Sequence, residues 1–492
     1  MSAQSDTNVK EPLVTTSVGV SAIAAAAQQA FSRMVRVSER ERVAWLFALA
    51  DGLDAHTEEL QHLAEAETSL SRIRLRGEIA RTSGQLRLIA SVVQEGSYLE
   101  AIIDHADDRM APPRPDLRRV LRPIGPVAVF SASNFPFAFS VLGGDTASAL
   151  AVGCPVVVKA HPGHPLLSRR CMEIAGEALH RVGAPDGVLA LVEGHEAGIE
   201  LVEHPVIKAV GFTGSLEGGR ALFNRAAARP DPIPFFGELG SINPVIVTAA
   251  TDRVRGSELA AGLAGSFQLS HGQFCTKPGV VFLPFDSELE RALPAHVKSN
   301  SERMLTQRIA DGFRERSKDL LSVPGVSVLA GEPTLADAQT VRARVLVTDT
   351  RVFEEHAVDL LTEVFGPTTL LVRYATEQDL FDALHHLSGT LTATLHAEPD
   401  EDIAELTRVL EDRAGRVLFE GWPTGVAVTW SQHHGGPWPA ATSTFSSVGA
   451  TSLRRFQRPI IYQDAPDAVL PPALREMNPL GIPRRVDGSY TV

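Results

Sequence analysis

Residues 126–159 read PVAVFSASNFPFAFSVLGGDTASALAVGCPVVVK, and the alternation inside that stretch decides the fold. Val127 to Phe130 is a short apolar run. Phe139 to Val152 follows at helical spacing, and Val156 to Val158 is a second apolar run ending at Lys159. Gly153 stands where the helix must stop, because glycine accepts the left-handed backbone of a helix end. The rhythm continues outward. Leu166 to Val182 is helical and closes at Gly183, Val188 to Val192 is strand-like, and Ala209 to Phe212 is a fourth apolar run. Leu216 to Ala227 is helical again, and Ile233 to Phe236 leads into Glu238. Short apolar runs alternating with helical stretches predict βαβ units around a parallel sheet covered on both faces.

A second series begins at Asn243. Pro244–Val247, Val280–Leu283, Leu370–Val372, Leu391–Leu395 and Arg416–Phe419 read as strands with helical stretches between them, such as Asp402–Leu410. Upstream, residues 38 to 95 read as helical. Ser38 and Glu41 make a capping box, and Val43, Leu46, Phe47, Ala50 and Leu53 recur on one face. Residues 109–125 and 455–492 are rich in proline and arginine without helical period, as an extended arm would be. The expected fold is therefore α/β. A cofactor-binding domain takes 1–108 and 126–240, a catalytic domain 241–454, and an arm 109–125 and 455–492.

Bulk properties narrow the function. The 492 residues carry a net charge of −13 with acids and bases interspersed, which argues against a nucleic-acid partner. Three cysteines build no disulfide framework, and Cys154 and Cys171 sit in apolar or helical surroundings as small core residues. No segment reaches 18 uninterrupted apolar residues, and Met1 to Pro12 has no signal pattern, so no membrane association and a cytoplasmic location are expected.

Candidate chemistry sits at the joints of the pattern. Cys275 lies in Ser270-His271-Gly272-Gln273-Phe274-Cys275-Thr276, a polar, glycine-containing loop. A thiol attacks a carbonyl only as thiolate, so such a nucleophile needs donors or positive dipoles nearby. Glu238 ends an apolar run just before Leu239-Gly240, where a carboxylate can enter a cleft and activate water. Asn134, in Ser133-Asn134-Phe135-Pro136, offers an amide donor to a developing oxyanion. Phe212-Thr213-Gly214-Ser215 joins a strand to a helix whose free N–H groups favour phosphate, without a G-x-G-x-x-G fingerprint. Lys159 stands at the carboxyl end of a strand, facing the ligand crevice, with His161 and Pro162 beyond it. In Glu363-Val364-Phe365-Gly366-Pro367, Glu363 can hold ribose hydroxyls and Phe365 can pack near a flat ring. Each residue alone also has a plainer account: an inert core cysteine, a strand-end carboxylate or lysine in solvent, an Asx turn, a serine-capped helix. His271, His433 and His434 lack metal-ligand spacing, so no metal is expected.

Together and in order, these segments resemble the aldehyde dehydrogenase superfamily over roughly residues 20 to 490. The matches are Ser-Asn-Phe-Pro at 133–136, Val-Val-Lys at 157–159, Phe-Thr-Gly-Ser at 212–215, Glu-Leu-Gly at 238–240, Gly-Gln-x-Cys-Thr at 272–276 and Glu-Val-Phe-Gly-Pro at 363–367. Gly143 to Leu150, Lys159 to Pro162, Pro232-Ile233-Pro234 and Ser241-Ile242-Asn243-Pro244 are similar to one branch. It holds NADP-dependent α-ketoglutarate semialdehyde (2,5-dioxovalerate) dehydrogenases and bacterial NADP-dependent fatty aldehyde dehydrogenases. Two departures stand out: Ser241 follows Glu-Leu-Gly where glycine is usual, and His433-His434-Gly435-Gly436 replaces a common Pro-Phe-Gly-Gly.

The resemblance implies two Rossmann-like parallel-sheet domains, an oligomerisation arm and a homodimer or homotetramer. It implies that Cys275 attacks an aldehyde, that Asn134 and the Cys275 N–H hold the oxyanion, and that Glu238 activates the water that releases the acid. Lys159, His161, Pro162, Thr213, Gly214, Ser215, Glu363 and Phe365 would hold the cofactor. Relatives using NAD often carry glutamate three positions after the strand-end lysine; Pro162 here favours NADP, with NAD also usable. The retained Glu238 argues against a CoA-acylating relative. Cys275, Asn134 and Glu238 together argue against a catalytically silent binding protein.

Overall fold

A computed structural model of the chain describes residues 14–331 and 339–491; the expectation for Met1 to Pro12 lies outside them. Strands Leu189–Val192, Val156–Lys159, Val127–Phe130, Ala209–Thr213 and Phe235–Glu238 pair in that order, all parallel. In order of sequence this is 3-2-1-4-5, a doubly wound sheet whose strand order reverses beside Val127–Phe130. Alternation along each strand splits its side chains between two cores. Val127, Val129, Val156 and Val158 pack with Leu46, Leu86, Leu150 and Ile174 from helices Glu39–Ala55, Arg72–Glu95, Gly144–Val152 and Pro165–Arg181. Ala128, Phe130, Val157 and Val210 face the other way, onto Val20, Leu201 and Ala226 from helices Ser17–Met34, His195–Glu203 and Leu216–Ala227. Both faces are covered, so the strands read apolar up to their carboxyl ends, where Lys159, Thr213 and Glu238 stand. Each fully buried valine stabilises the sheet by about 1.5–3 kcal/mol.

The second sheet has seven strands in the order Ser327–Ala330, Arg344–Asp349, Thr368–Tyr374, Val280–Pro284, Val245–Val247, Thr390–His396 and Ala414–Phe419. Only Ser327–Ala330 runs antiparallel. The same alternation holds: Ile246, Phe282 and Val372 enter one core, while Val245, Val281 and Leu371 enter the other. The fold is thus α/β with two Rossmann-like sheets.

A third sheet of five strands joins Gln457–Gln463, Leu117–Pro123, Ile102–Asp104, Arg484–Val486 and Ser489–Thr491. It draws on both segments read as an arm and adds Ile102–Asp104 from outside them. No helix among the described residues is long and apolar enough to cross a membrane.

Three expectations need correction. The stretch 38–95 is three helices, Glu39–Ala55, Thr57–Thr68 and Arg72–Glu95, because the chain turns at His56 and takes a left-handed conformation at Ser69 (φ 57°). Its capping box at Ser38 and Glu41 is present. The helix expected from Phe139 begins only at Gly144. Tertiary contacts recruit the preceding backbone: the buried Glu78 carboxylate accepts the N–H groups of Phe137 and Ala138, and Ala132 donates to the Phe139 carbonyl. Strands Ser327–Ala330 and Arg344–Asp349 were not expected; the first is a half-exposed edge strand and runs antiparallel to the second.

Candidate active site

The carboxyl ends of the first sheet meet the amino ends of the second. Asn134 follows Val127–Phe130, and Glu238 closes the edge strand Phe235–Glu238. Cys275 lies in the turn before Val280–Pro284, and Glu363 in the loop before Thr368–Tyr374. This is the crevice in which doubly wound sheets bind ligands.

The seam is held by backbone. The Leu239 N–H donates to the Ala440 carbonyl (2.8 Å), the Thr442 N–H to the Gly237 carbonyl (3.0 Å) and the Gly237 N–H to the Thr442 hydroxyl (2.8 Å). A segment of the 430–447 loop is thereby laid along the strand that carries Glu238. That loop delivers His434, which is buried, to the carboxylate.

Glu238, Cys275 and His434 converge, with their ligating atoms all within 4.8 Å of one another. His434 Nε2 stands 2.9 Å from Glu238 Oε1 and 3.7 Å from Cys275 Sγ. The Ser447 hydroxyl donates to Glu238 Oε2 at 2.7 Å. An ionised carboxylate only accepts, so the His434 proton sits on Nε2 whenever Glu238 is charged. Burial pushes the Glu238 carboxyl up. The attraction of His434 and the hydrogen bonds from His434, Ser447 and Cys275 outweigh it and leave the group below the ordinary carboxylate range. The Cys275 thiol moves the other way. Burial raises it well above its ordinary value, and the negative charge of Glu238 raises it further. Cys275 is nonetheless half-buried rather than sealed, unlike Cys154 and Cys171, whose thiols burial pushes up to about 12.

Asn134 is buried, and its Nδ2 donates to the Gln273 carbonyl at 3.0 Å, two residues before the thiol. That uses one of the two amide hydrogens. The Cys275 N–H has no acceptor among the described residues. The second Asn134 amide hydrogen and the Cys275 N–H therefore remain as donors in the segments around the thiol.

The loop carrying Cys275 is fixed from both sides. Asn243, at φ 51°, donates from Nδ2 to the carbonyls of Cys275 (2.8 Å) and Lys277 (2.9 Å). Ser241, the residue in place of the usual glycine, donates to Asn243 Oδ1 at 2.7 Å and accepts the Leu391 N–H at 2.9 Å. Gly272, at φ 66°, lies so close to Gly366 that an added Cβ would stand 2.2 Å from the Gly366 carbonyl oxygen. Two of the quoted segments, 272–276 and 363–367, are thus packed against each other.

The expected cofactor residues fall into two groups along the sheet edge. Lys159, His161 and Pro162 follow Val156–Lys159; Thr213, Gly214 and Ser215 follow Ala209–Thr213, with the central strand between. Burial pulls Lys159 below its usual range, and its ammonium makes no hydrogen bond or ion pair among the described residues. His161 is held well below its usual range by burial, and its Nδ1 accepts the Gly163 N–H. Gly214 and Ser215 are exposed at the start of helix Leu216–Ala227, which Ser215 caps. Glu363 joins this second group: its carboxylate lies against Gly240 beside Leu216, close to the Ser241 N–H. Burial pushes it up to about 7, and burial pushes its neighbour Lys277 down to about 8. Phe365 is half-buried two residues on. An unpartnered ammonium and an open helix N-terminus on one edge fit the phosphates of a dinucleotide.

His434, Ser447 and Asn243 were not among the site residues read from sequence. The only signals were the glycine-flanked histidine pair and the turn sequence Ser241-Ile242-Asn243-Pro244.

A family model described as the aldehyde dehydrogenase family matches residues 3–316. An α-ketoglutaric semialdehyde dehydrogenase 2 of Azospirillum brasilense is 46% identical over 458 residues, covering 91% of this chain and 87% of that protein. An α-ketoglutaric semialdehyde dehydrogenase of Acinetobacter baylyi is 40% identical over 476 residues, covering 95% and 90%. The fold is matched by a crystal structure of glyceraldehyde-3-phosphate dehydrogenase from Methanocaldococcus jannaschii complexed with NADP. Its TM-score is 0.79, with 18% identity, and the match covers 92% of this chain and 96% of that one.

Proposed function

The chain belongs to the aldehyde dehydrogenase family, and from that premise we propose that it oxidises α-ketoglutarate semialdehyde to 2-oxoglutarate with NADP. The observation that carries the chemistry is the convergence of Cys275, Glu238 and His434 where the two sheets meet. The substrate reading is supported by the two relatives named for it, each matched over most of its length.

The Cys275 thiol passes its proton to Glu238, the acceptor within hydrogen-bond reach. The sulfur adds to the aldehyde carbon, and the carbonyl oxygen becomes an oxyanion. The free amide hydrogen of Asn134 and the Cys275 N–H hold that charge; losing one such donor typically costs about 3–4 kcal/mol of barrier. Lys159, His161, Thr213, Gly214, Ser215, Glu363 and Phe365 would hold NADP, which would supply the hydride acceptor when bound. Loss of hydride from carbon leaves a thioester on Cys275. Glu238 gives up the thiol's proton to solvent, and the recovered carboxylate then takes a proton from water as the oxygen attacks the thioester, so that the acid and the thiolate separate. His434 and Ser447 hold the Glu238 carboxylate at both oxygens throughout. Pro162 leaves the 2′-phosphate of NADP unopposed, because no carboxylate stands at that position. The five-stranded third sheet, with Ile461 and Tyr490 exposed on its outer strands, supports pairing with a neighbouring subunit in a homodimer or homotetramer.

The test is NADPH absorbance with α-ketoglutarate semialdehyde, succinic semialdehyde and decanal, each with NADP and NAD and with and without CoA. Fastest turnover of the oxo-acid semialdehyde with NADP, independent of CoA, is the expected result. A preference for decanal sinks the substrate assignment and favours a fatty aldehyde. A requirement for CoA sinks hydrolytic release.

A further inference from the structure

The helix Arg72–Glu95 runs past the Asn134 loop and presents Arg74, Glu78 and Arg81 to it. Arg74 to Arg81 is two turns, so all three lie on one face. The Arg74 Nη2 donates to the Asn134 carbonyl, and its guanidinium lies 5.0 and 5.1 Å from the ring centres of Phe135 and Phe274. Arg81 lies 5.5 Å from the Phe139 ring centre and 6.0 Å from that of Phe135. The Phe139 ring is 6.3 Å from the His434 imidazole, which itself touches the Cys275 sulfur. A wall of aromatic rings thus runs from the two arginines to the nucleophile. Arg74 and Phe274 also line a cleft of about 570 Å³ that opens beside the Cys275 loop.

The charges along this wall do not balance. Glu78 is the carboxylate whose charge acts on both guanidiniums, and it acts on Arg81 more strongly than Glu238 does. Glu78 Oε1 is spent on two backbone N–H groups, and its Oε2 stands 3.8 Å from Arg74 Nη2. Arg81 makes no hydrogen bond and no ion pair among the described residues. Its Nη1 is closed to solvent with no acceptor, as is the Nη1 of Arg74. A charge kept from water without a partner is costly, so an anion that enters should be held. Arg416 is the other arginine that interacts with the Cys275 charge, but both its Nη atoms already serve the carbonyls of Gly425 and Pro423. Arg81 also reaches the charges of Cys275 and Glu238, and it has nothing else to bind.

We propose that Arg81, assisted by Arg74 Nη1, is the subsite for the distal carboxylate of an oxo-acid semialdehyde. The carbon chain lies along Phe135 and Phe139, with the aldehyde at Cys275. Guanidinium is the group suited to this task, because its planar fork meets both oxygens of a carboxylate. The inference rests on the aldehyde-oxidising reading and narrows it to substrates with a terminal carboxylate.

The experiment compares kcat/KM for α-ketoglutarate semialdehyde and for pentanal, its uncharged counterpart in length, in the wild type, Arg81→Met and Arg81→Lys. Losing a charged hydrogen-bond partner should lower the semialdehyde-to-pentanal ratio by roughly 10- to 100-fold in Arg81→Met, chiefly through KM, with partial recovery in Arg81→Lys. A ratio unchanged by Arg81→Met overturns the anchor while leaving the substrate reading intact. A wild type that takes pentanal as readily as the semialdehyde overturns the substrate reading itself. If Arg81→Met fails to fold, the wild type still decides. Glutarate should compete with pentanal and its diamide should not; equal inhibition by both, or by neither, overturns the subsite.

Discussion

His434 Nε2 lies 2.9 Å from Glu238 Oε1 and 3.7 Å from Cys275 Sγ, so one imidazole touches both the base and the nucleophile. Its attraction and hydrogen bond oppose the burial that pushes the Glu238 carboxyl up. Removing His434 leaves burial opposed only by Ser447 and Cys275. The carboxyl should then titrate higher, and the base should be lost at a higher pH. In His434→Ala the acid limb of the kcat–pH profile is expected to move up by about one unit or more, with kcat at pH 7 down by roughly 10- to 100-fold. An acid limb that does not move separates His434 from Glu238.

The same contact governs the thiol. Burial and the Glu238 charge raise Cys275, so little thiolate exists at neutral pH in the free enzyme. Iodoacetamide labelling of Cys275 should accelerate with pH and have its midpoint above the ordinary thiol value of about 8.5. In Glu238→Gln the midpoint should fall, because the repelling charge is gone. Cys154 and Cys171, buried and pushed up to about 12, should stay unlabelled in the folded protein. Mass spectrometry of the labelled peptides reads all three at once, and a midpoint below 7 contradicts the account.

Asn243 ties the Cys275 loop to the sheet. Its Nδ2 serves two carbonyls of the loop, and its Oδ1 accepts from Ser241 and Thr392. Asn243→Ala strands those groups in a buried site. Each buried unsatisfied group costs about 1–3 kcal/mol, so a stability loss of about 2–4 kcal/mol is expected, with kcat falling more than KM rises. Ser241→Gly should cost less, about 1 kcal/mol, because backbone contacts keep the strand in place. Urea unfolding measures both.

Gly272 has no room for a side chain. Its φ is 66°, and a Cβ would meet the Gly366 carbonyl oxygen at 2.2 Å. Gly272→Ala must therefore separate the loop carrying Cys275 from the loop carrying Glu363. A loss of about 2–4 kcal/mol is expected from strain and displaced backbone, together with weaker cofactor binding. A variant with wild-type stability and cofactor affinity would show that the two loops move independently.

What was legible in the sequence follows from which interactions are local. Val127–Phe130 and Val156–Lys159 were readable because both faces of each strand are buried, which leaves an uninterrupted apolar run. Cys275, Glu238 and Asn134 were readable as a set because each sits in a short motif at a strand end. His434 was not assigned a role, since its partner lies 196 residues away and is reached only through the pairing of residues 440–442 with Gly237 to Leu239. The helix expected from Phe139 failed for the same reason: a carboxylate on a distant helix, Glu78, takes the N–H groups of Phe137 and Ala138. Ser327–Ala330 went unseen because it is a short, half-exposed edge strand whose pairing with Arg344–Asp349 is made only in the folded sheet.

The proposed preference for NADP is tested at the exposed position after Lys159 and His161. Pro162 carries no charge, and Lys159 makes no hydrogen bond or ion pair among the described residues, its attraction to Glu193 being weaker than the effect of burial, so this corner is open to a phosphate. Pro162→Glu places a carboxylate there without removing a backbone N–H, since proline has none. It should repel the 2′-phosphate and compete for Lys159, while a ribose 2′-hydroxyl would gain an acceptor. The NADP-to-NAD ratio of kcat/KM is expected to fall by roughly 10- to 100-fold, most of it through the KM for NADP. Lys159→Met should lower the same ratio by removing the ammonium rather than opposing it. A ratio that ignores both substitutions would move 2′-phosphate recognition away from this strand end, toward the helix start at Ser215.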